Sequence, residues 1–259
     1  MKNTYAVITG ASSGLGIEFA KQLSEMGYKT VLVARREKRL EKVQKILKTE
    51  SIVIAADLSK REECLRLVNE IKDLDVEVFI NNAGYGDCGR FHETSLDKEL
   101  GMIDVNVTAV HILMKEMLKK MRPKISGCYI LNVASSAGLF PGGPYMATYY
   151  ATKAYVTSIT QAVAREMAEE GSDMYIGALC PGPVDTEFND VADVQFALRG
   201  ISAKKCVRYA LDQMFRRRKQ IIVPTLRMKL AVFAVRILPK EQVVAMTGGQ
   251  QKKKKGINS

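Results

Sequence analysis

Seven short apolar runs recur along this chain, with helical spacing in the intervals between them. They are Tyr5–Thr9, Thr30–Ala34, Ser51–Ala56, Val76–Asn81, Cys128–Asn132, Tyr175–Leu179 and Gln220–Val223. Rich in Val and Ile and nearly unbroken, they read as strands covered on both faces. In the intervals, Leu40, Val43 and Leu47 share one helical face, as do Cys64, Leu67, Val68 and Ile71. Longer helical patterns run over 101–121 and 149–170. Strands alternating with helices predict βαβ units, and right-handed crossovers put helices on both faces of the sheet. The expected fold is therefore α/β: a doubly wound, mostly parallel sheet of about seven strands. No long Pro/Gly/Ser linker interrupts the pattern, so 1–225 is read as one domain. Residues 226–259 follow as a basic C-terminal segment, with 251–259 expected to be disordered.

The first run ends in Thr9-Gly10-Ala11-Ser12-Ser13-Gly14-Leu15-Gly16, and a helical pattern opens from that loop. Glycine tolerates positive φ and lets a ligand approach the backbone. A helix start presents unpaired N–H groups and a partial positive charge, which together accept a pyrophosphate. An ordinary tight turn uses the same glycines, so the loop takes its meaning from the strand before it and the helix after it. NAD-binding chains usually end the second strand with a carboxylate for the ribose 2′-hydroxyl. Here that strand ends in Arg35-Arg36. Two guanidinium groups suit a 2′-phosphate by charge and by bidentate geometry, so NADP(H) is expected over NAD(H). Asp57 closes the third strand and either accepts a hydrogen bond from the adenine or caps the turn before Leu58-Ser59.

Tyr149-Tyr150-Ala151-Thr152-Lys153 opens a helix after a loop containing Pro141, Gly142, Gly143 and Pro144. Tyr149 and Lys153, four apart, share one helix face. A phenol titrates at about 10, and a neighbouring ammonium favours its ionised form, so the pair reads as a general acid/base. Tyr150 has no lysine four residues further on. A solvated surface pair has the same spacing, so the surrounding motifs must decide. Asn81-Asn82-Ala83-Gly84, Asn106, Asn132-Val133-Ala134-Ser135, Tyr149 with Lys153, and Pro181-Gly182-Pro183-Val184-Asp185-Thr186 follow the glycine loop in one order. Over about residues 4–225 this arrangement resembles the short-chain dehydrogenase/reductase family of Rossmann-like oxidoreductases.

The resemblance implies a role for each position. Gly10, Gly14 and Gly16 would shape the cofactor loop, with Ser12, Ser13 and Leu15 beside them. Arg35, Arg36, Asp57 and Leu58 would border the adenosine end, and Asn82, Ala83 and Gly84 its ribose. Tyr149 would protonate a carbonyl, and Lys153 would hold the nicotinamide ribose and depress the tyrosine pKa. Ser135 would bind the substrate oxygen, and Asn106 would position a water in a proton relay. Pro181, Gly182, Val184 and Thr186 would cradle the nicotinamide. Ser135 and Ser136 compete for one role. The family's serine-to-tyrosine interval favours Ser136, while the pattern Ser135-Ser136-Ala137-Gly138 favours Ser135. Ser135 is chosen, because the loop 139–148 can absorb an extra residue cheaply. A regulatory NADP-binding protein without turnover would keep the same fold, but it would not need Ser135, Tyr149, Lys153 and Asn106 together.

The substrate-facing segments 85–94, 139–148 and 186–200 carry Phe91, Phe140, Tyr145, Met146, Phe188, Val191 and Phe196. They point to a lipophilic ketone, acyl or steroid-like carbonyl or alcohol, or else to ordinary core. Five cysteines without a C-x-x-C pair and two isolated histidines argue against disulfides and against any metal site. No signal peptide or membrane span is read, so the expected location is cytoplasmic. Relatives often pair through the helices near 101–121 and 149–170, which implies a homodimer or homotetramer.

The charge is uneven. Residues 1–198 hold 23 Lys and Arg against 26 Asp and Glu, whereas 199–259 hold 16 against 2. Within that basic segment Leu226, Leu230, Phe233 and Ile237 form one stripe, flanked by Arg216-Arg217-Arg218-Lys219 and by Lys252–Lys255. Such a helix either lies on an anionic membrane as a peripheral contact or packs its stripe on the domain. No aromatic interleaving accompanies the charge, so nucleic acid is not expected as a partner.

Overall fold

The computed structural model describes residues 2–124, 127–186, 200–217 and 219–255. Seven of its strands form one parallel sheet. They are β1 (Tyr5–Thr9), β2 (Lys29–Ala34), β3 (Ser51–Ala55), β4 (Val76–Asn81), β5 (Tyr129–Val133), β6 (Tyr175–Leu179) and β9 (Ile221–Ile222). Their order is β3-β2-β1-β4-β5-β6-β9. The chain winds outward from β1 to β3 and then restarts on the other side at β4. This reversal opens a crevice at the carboxyl ends of β1 and β4, where open α/β sheets bind ligands.

Strand residues alternate between two cores. Ile8, Leu32, Ile80 and Leu131 pack with Phe19 and Leu23 of α1 (Gly14–Glu25) and with Leu211 and Met214 of α7 (Ala203–Phe215). Their neighbours Val7, Val31, Val33, Phe79 and Ile130 point the other way. They meet Leu67 of α3 (Arg61–Glu70), Leu113 and Met117 of α5 (Val110–Met121), and Ala164 and Met167 of α6 (Ala147–Glu169). Both faces are dry, which is why the strands read as unbroken apolar runs. On the first face α2 (Glu37–Gln44) adds Leu40 and Val43.

Three features differ from the sequence reading. The pattern at 101–121 is the second part of a longer helical stretch that begins at α4 (Leu96–Ile103), capped by Ser95. A π-helical turn, Asp104–Ala109, separates α4 from α5. A small parallel pair, β7 (Val184–Asp185) with β8 (Ile201–Ser202), flanks residues 187–199. Finally, the C-terminal segment forms two helices, α8 (Leu226–Val235) and α9 (Lys240–Lys255), with Pro239 between them. Residues 251–255, expected to be disordered, continue α9, and Gln251 is buried. Among the described residues no helix is long and apolar enough to cross a membrane.

Gly16 sets how closely α1 approaches β1. A Cβ there would lie 2.1 Å from the Gly10 carbonyl oxygen and 2.9 Å from Ala11 Cα. Backbone on that side cannot yield as a side chain would. Gly16→Ala is expected to destabilise the fold by about 3 kcal/mol, read as a lower urea midpoint. An unchanged midpoint would mean that α1 is free to move outward.

Candidate active site

Four segments meet in the crevice: the glycine loop, the turn after β4, the end of β5 and the start of α6. Gly10 and Gly14 have φ of 66° and 51°, a region that side-chain-bearing residues rarely adopt. The loop is clamped from below. The Thr9 hydroxyl accepts hydrogen bonds from the Asn82 and Ala83 N–H groups at 2.9 and 3.0 Å. Asn82 Nδ2 donates back to the Thr9 carbonyl at 2.9 Å. Asn82 therefore holds two loops together through its side chain. α1 begins directly behind the loop with no carboxylate in its first turn, leaving its positive end uncompensated.

Tyr149 lies in the first turn of α6, and Lys153 follows one turn later; both are buried. Lys153 Nζ sits 5.9 Å from the centre of the Tyr149 ring and donates to the Val133 carbonyl at 2.9 Å. The Ser135 hydroxyl hydrogen-bonds the Tyr149 phenol and also accepts from the Ala137 N–H at 3.1 Å. Ser136 lines the same cavity, while its N–H is bound to the Pro181 carbonyl. Burial pushes the Tyr149 phenol up to about 12, against the pull of Ser135. Burial also pushes the Lys153 ammonium down to about 8. The lowered tyrosine pKa expected from the lysine is thus not seen in the free protein: on each group burial outweighs the contacts that favour its charged form, Ser135 for the phenol and Cys180 for the ammonium.

Asn106 occupies the π-helical turn and is fully buried. Its Oδ1 accepts from the Tyr85 N–H at 3.0 Å, and its Nδ2 donates to the Tyr85 carbonyl and to Thr152 Oγ1 at 2.8 and 3.1 Å. The amide thus ties the loop after β4 to α6. The wide turn re-aims this side chain, a common use of π-bulges at functional sites. Gly84 lies between Asn106 and Lys153: a Cβ there would be 2.9 Å from Asn106 Oδ1 and 3.2 Å from Lys153 Nζ.

The four segments line one cavity of about 430 Å³, and the buried Asn106 is not part of its wall. The cavity runs from Gly10, Ser13, Gly14, Leu15 and Arg36 past Asn82, Ala83 and Gly84 to Ser135, Tyr149 and Lys153. Pro181, Gly182, Val184 and Thr186 form its far wall. An elongated dinucleotide fits this course, with glycine backbone and a helix start at one end and buried proton-bearing groups at the other.

The sequence pattern of the short chain dehydrogenase family matches residues 4–195. The chain belongs to that family. An uncharacterized oxidoreductase of Staphylococcus saprophyticus is 40% identical over 197 residues, 73% of this chain and 78% of that protein. A short-chain dehydrogenase from Sphingobium yanoikuyae in complex with NADPH superposes with TM-score 0.80 at 27% identity, covering 90% of this chain and 92% of its own. A family member from Burkholderia phymatum in complex with NAD gives 0.80 at 26% identity, covering 90% and 94%. The fold and the nicotinamide-linked oxidoreductase class follow from the family.

The other positions singled out from the sequence divide between the cavity wall and its surroundings. Arg35 and Arg36 are both exposed, and of the two Arg36 lines the cavity and donates to Ser12 Oγ at 3.4 Å. Asp57 accepts from the Ser59 N–H and hydroxyl at 3.2 and 2.9 Å, closing a turn. The Leu58 side chain is buried in the core, and Gly16 lies beneath the loop. Phe140 and Met146 line the substrate end, Phe91 is exposed, and Tyr145 faces a neighbouring surface groove. Phe188, Val191 and Phe196 lie outside the described residues. Tyr85, at the start of the segment 85–94 read as substrate-facing, lies on the cavity wall, and sequence reading missed Tyr150, Arg227, Met228, Thr247, Gln250 and Gln251 beside it. For the five of them in the C-terminal segment, the only signal was that this segment had no other assigned place. Among the described residues no cluster could hold a metal ion.

Lys153 charges at about 8 in the fold, against about 10.5 when unfolded. The buried charge therefore opposes folding fully below pH 8, and the penalty fades as pH rises from 8 to 10.5. A shift of that size corresponds to about 3 kcal/mol. Lys153→Met is expected to raise the thermal midpoint at pH 7 and to remove the stability gain between pH 8 and 10.5. A lower midpoint would show that the bond to Val133 outweighs desolvation.

Proposed function

We propose that the protein is an NADP(H)-dependent reductase of lipophilic carbonyl compounds, with Tyr149 as the proton donor. The observation that carries this reading is the Tyr149 phenol, hydrogen-bonded to Ser135 and one helical turn from Lys153, in the cavity that begins at the glycine loop. When bound, the nicotinamide supplies the hydride. Tyr149 gives its proton to the carbonyl oxygen, and Ser135 donates a hydrogen bond to the charge developing there. Lys153 holds its ammonium beside the phenol and steadies the phenolate left behind. Asn106 keeps the Tyr85 loop and α6 in register around these groups. A pKa of about 12 keeps the phenol protonated at neutral pH, which suits reduction. Oxidation needs the phenolate, so it gains with rising pH.

Arg36 with Ser12 supports NADP(H) over NAD(H), since a guanidinium beside a hydroxyl suits a 2′-phosphate. Phe140, Met146, Tyr150 and Met228 make the substrate end apolar. Gln251 closes that end: its Nε2 donates to the Tyr150 hydroxyl at 2.9 Å, and its buried Oε1 has no partner among the described residues.

Loss of reduced-cofactor absorbance, followed over a panel of ketones, tests these statements. Tyr149→Phe is expected to lower kcat by roughly 10³-fold or more; retained activity would refute the mechanism. With the wild type, reduction should hold level up to about pH 8 while oxidation climbs with pH. Arg36→Asp should reverse the preference for NADPH over NADH, and an unchanged preference would overturn the cofactor assignment.

A further inference from the structure

The helix α8 is apolar, yet none of its residues is buried. Leu226, Leu230, Phe233 and Ile237 form a stripe along it and into the turn that follows, and they are 71, 61, 63 and 70% exposed. The sequence left open whether this stripe packs on the domain, and the structure turns it to solvent. Single exposed apolar residues are ordinary, but four aligned on one helical face mark a surface built to meet something.

Charge selects the occupant. From Asp212 to Glu241 the chain carries no intervening carboxylate. Arg227, Arg236 and Lys240 are exposed beside the stripe, and none pairs with a carboxylate among the described residues. Lys229 turns inward, with its Nζ 3.1 Å from the Tyr209 hydroxyl. In a two-fold pair of this chain the same patch meets itself, which brings these cations together. An anionic surface accepts the cations and the stripe at once.

We infer that α8 docks this protein on anionic lipid bilayers, with Leu226, Leu230, Phe233 and Ile237 entering the interface and Arg227, Arg236 and Lys240 meeting the headgroups. The inference goes beyond the proposed reaction and does not depend on it. The same helix reaches the cavity, where Met228 packs on Gly182 and Arg227 stands at the wall. Docking therefore brings the substrate end of the cavity to the lipid surface.

Sedimentation of the full chain with vesicles tests this. One vesicle is phosphatidylcholine alone, and the other carries about a quarter phosphatidylglycerol. Strong binding is expected only to the anionic vesicles at about 0.1 M NaCl, falling at least tenfold at about 1 M, where the screening length is about 3 Å. Phe233→Glu with Ile237→Glu should abolish binding while thermal midpoint and ketone reduction stay as in the wild type, since neither residue touches the cavity. Arg236→Glu with Lys240→Glu should weaken binding at low salt alone. Equal sedimentation of the wild type and the Phe233/Ile237 variant would overturn the inference, as would failure of the wild type to bind. A dimer in lipid-free solution that dissociates in that variant would also overturn it, assigning the stripe to a second copy.

Discussion

Of the hydrogen bonds that join the reactive helix to the sheet, the one nearest the start of the helix runs from Lys153 Nζ to the carbonyl of Val133, at the carboxyl end of β5. It fixes where α6 starts relative to the strand ends, and so fixes where Tyr149 meets Ser135. The π-helical turn completes the frame by aiming Asn106 at Thr152 of α6 and at the loop carrying Tyr85. Four segments distant in sequence thus share one constellation through a few buried polar contacts. In a dry site such contacts are strong when complete and costly when broken.

The same dryness governs the proton chemistry. Burial drives the phenol up to about 12 and the ammonium down to about 8, so it opposes the charged form of each, although the lysine still carries its proton at neutral pH. This cost of order is concentrated where function requires it, as is usual for sites that give up stability for reactivity. A surface Tyr–Lys pair would lack this tension.

The sheet was legible because parallel strands covered on both faces leave continuous apolar runs, and observed strand ends differ from those runs by one residue or so. The glycine loop was legible because Gly10 and Gly14 occupy φ values that other residues avoid. Other features had no local signature. A π-helical turn at Asp104–Ala109 costs one extra residue in a pattern that still reads as helix. The burial of Gln251 depends on Tyr150, a hundred residues earlier, so a run of Gln and Lys looked unstructured. Arg35 and Arg36 were read together, and of the two Arg36 lines the cavity, a difference that adjacent identical residues conceal. The solvent-facing stripe of α8 matches a core-facing one in sequence, because periodicity defines a face without defining its direction.

The two sides of α8 face different surroundings. Met228 looks into the cavity while Leu230 and Phe233 look away from the molecule. A catalyst held in this way samples a two-dimensional reservoir, in which hydrophobic ketones are concentrated relative to water. Its turnover would then follow the surface density of substrate per lipid, and diluting the ketone with inert lipid would slow it even at constant bulk concentration.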